Sequence, residues 1–205
     1  MPVYFVAVAQ NSGAKGKMGF VSFSAGPSFP IGDFSSSSGN NDQAGFAKTG
    51  FNLDLYGGYH LASNVGIAAS FFYSRYGLDN SLVSGTTASV DHWQYYGLVV
   101  GPMITEPLSD NILADFTIMS GIVNANSPKL TYNGEELVSE DWTVAVPVRL
   151  SADLRFQFAK NGYFITGVNY IYLDPKFKFT SLGETVTAHQ KITTVNLTAG
   201  IGFGF

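Results

Sequence analysis

Five charged side chains stand where chemistry would be concentrated. Asp54, Asp115, Arg149, Asp153 and Arg155 fall in segments where apolar residues occupy every second position. Each sits on the polar side of that alternation. Two guanidiniums and three carboxylates enclosed together can form a hydrogen-bonded ion network, since isolated buried charges are costly. Such a network serves either as a gate on a proton or ion path or as a plug. The plug is the expected role wherever strands close into a small barrel, whose interior is just wide enough for side chains to fill.

Other chemistry is poorly supplied. His60, His92 and His189 are dispersed and give no metal-ligand spacing, so no metal is expected. There is no cysteine, which excludes a disulfide scaffold and a thiolate metal site. Gly200-x-Gly202-x-Gly204 is no phosphate loop, because no helix follows it. No cofactor is expected. The 11 Lys+Arg residues are scattered and net charge is −4, so no basic patch suggests nucleic acid.

Alternation with a period of two dominates the chain, and useful helix-period segments are absent. From Val146 to Phe158, Val146, Val148, Leu150, Ala152, Leu154, Phe156 and Phe158 share one face. Pro147, Arg149, Ser151, Asp153, Arg155 and Gln157 share the other. That strand is long enough for a tilted membrane crossing, which takes about 9–11 residues. Near the end, Val195, Leu197, Ala199, Ile201, Phe203 and Phe205 alternate with polar residues and glycine. Six further segments complete eight strands: 18–29, 50–59, 65–76, 92–101, 112–123 and 163–172. The facing of the third and fourth is open, because both sides carry aromatics. Pro147 is expected near the external rim, at a bulge or where pairing ends.

Connections 30–49, 77–91, 124–141 and 173–189 are long. Those at 61–64 and 159–162 are short, and 102–111 is intermediate. This layout puts both termini and the short turns on one side. In outer-membrane barrels that side is periplasmic and the long loops are external. Charged residues make up 13% of the chain against a typical share of about 25%, which is sparse for a soluble surface. Tyr56, Tyr59, Tyr73, Tyr76, Trp93, Tyr95, Tyr96, Trp142, Tyr163, Tyr170 and Tyr172 gather near strand ends, as membrane-interface girdles would. A barrel is also the only sheet that leaves no open edge in lipid. The fold class read here is all-β: an eight-stranded antiparallel up-and-down transmembrane barrel spanning residues 10–205. Residues 1–9, with Ala7-Val8-Ala9 before Gln10, read as the remnant of a secretory signal peptide.

Thr198-Ala199-Gly200-Ile201-Gly202-Phe203-Gly204-Phe205 resembles the terminal-strand signal of outer-membrane barrels. The resemblance implies that Thr198, Gly200, Phe203 and Phe205 are recognised by the barrel-assembly machinery. From about Lys17 onward the chain is similar to the small OmpA/OmpX/OmpW-like barrels. Gly26-Pro27-Ser28-Phe29-Pro30-Ile31-Gly32-Asp33-Phe34 with Gly45-Phe46-Ala47-Lys48-Thr49-Gly50 resembles the Bacteroidetes version. The implied setting is a bacterial outer membrane, with membrane lipid and the assembly machinery as partners and an extracellular ligand at the loops. Barrels resembling lipid A deacylases carry His-x-Ser on one strand face. Here no histidine has a hydroxyl two positions on, so no enzyme is expected. A hydrophobic-ligand channel like that of OmpW needs an apolar lumen, and strands two, six and eight have polar inner faces. The expected role is structural or surface-binding, with a narrow channel as the alternative.

Overall fold

A computed structural model describes residues 18–38, 40–41, 43–79, 88–132, 135–138, 142–181 and 184–205. The signal-peptide reading of residues 1–9 lies outside them. Eight strands alternate direction around one barrel: β1 Gly19–Pro30, β2 Ala47–His60, β3 Val65–Leu78, β4 Trp93–Ser109, β5 Ile112–Asn126, β6 in two segments Trp142–Ala145 and Val148–Gln157, β7 Gly162–Leu173 and β8 Ile192–Gly204. Every sequential pair is antiparallel, and β8 pairs back onto β1. Closure gives the backbone donors and acceptors of the wall partners within the sheet, which a bilayer interior demands.

The seam closes on the terminal residue. Phe205 N–H donates to Gly19 O at 2.9 Å, and Gly19 N–H donates to Phe205 O at 3.0 Å. The Phe205 ring faces outward and is 71% exposed. It ends an exposed row with Leu197, Ile201 and Phe203. On β6, Val146, Val148, Leu150 and Phe156 are likewise exposed, while Arg149, Ser151, Asp153 and Arg155 are buried. The exterior is therefore apolar and the interior polar at these strands, the arrangement a membrane barrel needs.

The facing of β3 and β4 follows from burial. Ser70, Phe72, Ser74 and Tyr76 point inward on β3, and Trp93, Tyr95, Val99 and Met103 do so on β4. Five of the eleven rings read as interface girdle are in fact lumen fillers: Tyr56, Tyr76, Trp93, Tyr95 and Tyr163 are all buried. Nearness to a strand end says nothing about facing, which follows from the period of two. Tyr59, Tyr96, Trp142 and Tyr170 do face outward.

The connection expected at 102–111 is mostly strand. β4 runs through Pro102 and Pro107 to Ser109, and only Asp110 and Asn111 form the turn. Pro102 remains in register opposite Ile67, so it does not break the strand, and the ladder shifts only at Pro107–Ser109. Pro147 falls between the two segments of β6, where pairing with β7 stops at Val148–Tyr172. Its carbonyl accepts a hydrogen bond from Ser120 Oγ at 2.7 Å. The short turns and the described termini share one end of the barrel. At the other end the long connections carry their own sheets. Ala88–Val90, Leu130–Tyr132 and Glu135–Val138 form a three-stranded sheet, and Lys176–Ser181 pairs with Glu184–His189.

Glycine matters where strands approach closely. A Cβ at Gly200 would lie 2.0 Å from Phe23 O on β1, and backbone cannot yield cheaply there. Gly200→Ala is expected to cost about 1–3 kcal/mol through overpacking. The effect should persist when the chain refolds into pure lipid vesicles, where no assembly machinery is present. A normal folding yield there would assign Gly200 to recognition alone.

Candidate functional site

The lumen is stacked in layers. Nearest the short turns, Arg155 spans from β6 to Asp115 on β5. Its Nε donates to Asp115 Oδ2 at 2.6 Å and its Nη2 to Oδ1 at 2.9 Å. Bidentate pairing of this kind is strong and directional. Thr105 Oγ1 donates to the same carboxylate at 2.6 Å. With that hydroxyl proton committed, His60 Nε2–H donates to Thr105 Oγ1 at 3.0 Å. The Arg155 guanidinium also lies 3.9 Å from the Phe20 ring centroid, a cation–π contact.

Midway up the lumen, Arg149 is 1% exposed and pairs with Asp54 across the barrel. Ser70 bridges them: its Oγ donates to Asp54 Oδ1 at 2.5 Å and accepts from Arg149 Nη1. Arg149 Nη2 also donates to Asn169 Oδ1 at 2.8 Å. The period of two places all of these side chains inside, and barrel closure brings β2, β3, β6 and β7 to one point.

Asp153 is buried as well but stands apart. It lies opposite Asp115 in register and makes no ion pair with either arginine among the described residues. It leans toward β7 instead, where a Cβ at Gly167 would come within 1.9 Å of Asp153 Oδ1. The five sequence-selected charges thus share the lumen as two separate ion pairs and one carboxylate outside both.

Above this layer comes a chain of hydroxyls. Ser28 Oγ and Tyr76 OH are 2.5 Å apart, Tyr76 and Tyr95 OH 2.7 Å, and Tyr95 OH and Thr194 Oγ1 3.0 Å. The Tyr76 and Tyr95 rings stack at 5.7 Å. The loop-side mouth is then closed by an inserted side chain. Phe34, on the short 3-10 turn Gly32–Ser35, is fully buried against Tyr76 at 5.3 Å and Trp93 at 5.6 Å. Trp93 holds that loop by donating Nε1–H to Gly45 O at 2.8 Å and packs on Phe177.

Sequence reasoning missed Phe34, Tyr76, Tyr95, Asn169 and Asn196. An aromatic beside a Ser-rich run in the loop was the available signal for the first. The period of two was the signal for Asn169 and Asn196; for Tyr76 and Tyr95 it was blurred by aromatics on both faces of β3 and β4. Trp93→Phe keeps an aromatic ring but removes the donor and part of the buried packing, so a loss of about 1–3 kcal/mol is expected. Amides of Gly32–Ser35 and of residues 43–46 should exchange faster with deuterium in that variant. Unchanged exchange would show that the indole bond does not hold the loop.

The histidines do not converge. His60 is at the short-turn rim, while His92 and His189 are in the outer connections. His189 Nδ1 lies 3.7 Å from Asp174 Oδ1. His92 Nδ1 is 2.8 Å from Asp91 Oδ1 and its backbone N–H also donates to that oxygen at 2.8 Å. The side-chain hydrogen bond from His92 holds the Asp91 carboxyl below the ordinary aspartate value of 3.8, against the opposing effect of burial. The folded value is depressed, so this contact contributes above the ordinary value and is lost as pH falls through the folded one. The Asp91 carboxyl carbon should titrate below 3.8 by NMR. A midpoint at or above that value would contradict the hydrogen-bond assignment.

No protein-family profile and no curated protein matches the chain. Solved structures do resemble it. Neisserial surface protein A (NspA) superposes with a TM-score of 0.58 at 13% identity, over 91% of this chain and 97% of that one. A major outer membrane protein from Thermus thermophilus gives 0.57 at 11% identity, covering 91% and 99%. OprG from Pseudomonas aeruginosa gives 0.54 at 12% identity, covering 93% and 97%. At these identities the likeness establishes the fold. The chain has the architecture of the small eight-stranded outer-membrane β-barrels.

Proposed function

We propose that this protein is a non-conducting barrel of a bacterial outer membrane that presents its long connections as a structured outer surface. The observation that carries the reading is the filled lumen: two ion-paired layers, a hydroxyl layer and the Phe34 cap follow one another along the axis. Ions crossing such an interior would have to separate paired charges in a poorly solvated space. The outer sheets support surface binding, because recognition residues favour loops held on a rigid scaffold. An enzymatic role is not proposed: the Thr105 hydroxyl beside His60 gives its proton to Asp115 and is buried in the lumen, out of reach of a substrate.

In this reading both termini are periplasmic, membrane lipid covers the apolar wall, and an extracellular ligand meets the loops. Thr198, Gly200, Phe203 and Phe205 are the proposed contact for the assembly machinery. Phe203 and Phe205 face outward, where a membrane-embedded partner can reach them, whereas Thr198 faces the lumen. The test uses the full chain in vesicles loaded with a small dye, and protease added to intact cells. Dye retention with cleavage in the long connections supports the reading. Dye release, or protection of those connections, overturns it.

A further inference from the structure

We propose that the mid-lumen layer holds internal water, gripped by Arg149, Asn169, Asn196 and Asn52. All four residues are at least nine-tenths buried, at 0–1% exposure. Each has a side-chain atom without a hydrogen-bond partner among the described residues: Arg149 Nε, Asn169 Nδ2, Asn196 Nδ2 and Asn52 Oδ1. Buried polar groups are rarely left so, and internal water is the usual remedy.

The amide orientations are fixed by chemistry. Asn169 takes a hydrogen bond from the Arg149 guanidinium, which cannot accept, so its Oδ1 must face Arg149. Its Nδ2 is therefore a true unspent donor. Asn52 Nδ2 donates to Ser74 Oγ at 2.9 Å and to the Tyr73 carbonyl at 3.4 Å. A carbonyl only accepts, so Asn52 Oδ1 is a true unspent acceptor. Asn196 bonds Ser28 Oγ through one amide atom and has the other unspent, whichever way it is turned.

Asn169 and Asn196 are direct cross-strand partners on β7 and β8, which places their Cβ atoms about 4.5–5.5 Å apart. Continuing around the wall, Asn196 is opposite Ser28 on β1, and Asn52 on β2 is opposite Gly26, which contributes no side chain. The unspent groups therefore line neighbouring inner positions. They include both donors and an acceptor, which calls for a molecule that does both. An anion is disfavoured, because Asp54 already neutralises Arg149 and Asp153 adds a further carboxylate to the lumen.

The inference rests on the closed-lumen reading, and its failure is separable. In lipid nanodiscs, the side-chain amide protons of Asn169 should show cross-peaks to long-lived water by NMR. Asn169→Asp keeps the oxygen facing Arg149 and removes the amide; it should abolish those peaks and so assign them. Absence of water cross-peaks at Asn169 in a barrel that retains dye overturns the hydration proposal alone. Cross-peaks of the sign given by freely exchanging water, together with dye release, overturn the closed lumen and with it trapped water.

Discussion

Arg149→Met is expected to cost about 3–5 kcal/mol, the penalty for leaving a buried ion pair half made. Methionine fills much of the same volume, so the loss is chiefly electrostatic. Asp54 would remain 2% exposed with Ser70 as its remaining donor, and Asn169 Oδ1 would lose its partner too. Adding Asp54→Asn should recover much of the loss, because the stranded charge is then gone. That recovery separates an ion-pair role from simple packing. Denaturant unfolding of the lipid-refolded barrel reads both effects. A single variant within about 1 kcal/mol of the parent would mean that Asp54 reaches bulk solvent, which a closed lumen does not allow.

Leu150→Arg is the second large effect, about 2–4 kcal/mol if the residue lies near the bilayer midplane. Leu150 is 42% exposed on the outer face of β6, flanked in register by Ile118 and Tyr170. A guanidinium there has no partner and must snorkel or draw in water. Ser151→Arg fails for another reason. Ser151 faces inward and its Oγ is 2.5 Å from Thr117 Oγ1, so a long side chain meets a filled interior. The two variants should differ in lipid dependence: thinner bilayers should relieve Leu150→Arg and leave Ser151→Arg unchanged. If Leu150→Arg refolds as well as the parent, the outward face of β6 has been misassigned.

The fold was legible where alternation was strict. From Val146 to Phe158 and from Val195 to Phe205 one face carries no polar residue, so facing and length followed from the period of two. β3 and β4 were opaque because aromatics occupy both faces. A barrel of this width needs bulky rings inside as well as at the interface, so residue type does not separate the two. β4 continues through Pro102 and Pro107 to Ser109 rather than ending at residue 101, because a proline can be held in the wall when its neighbours keep the ladder in register. Within the site, the charges were legible because polar residues stand out on one face. Their partition was not. Arg149 meets Asp54 across the barrel and Arg155 meets Asp115 on the adjacent strand, and only the closed geometry decides which pairs form. Phe34 was hidden for a different reason: it acts from a loop, where no periodicity marks an inward residue.

Phe205 joins these threads. It closes the hydrogen-bonded seam with Gly19, ends the lipid-facing row of β8, and occupies the last position of the resembled assembly signal. The structure accounts for the first two roles without any partner.

The central claim is a membrane-spanning barrel whose lumen is closed. Single-molecule recordings of the full chain in a planar lipid bilayer test it most directly. The expected trace stays at baseline after insertion, with insertion verified by the faster gel migration of unheated protein. Steady, large conductance steps from the inserted protein would contradict the account.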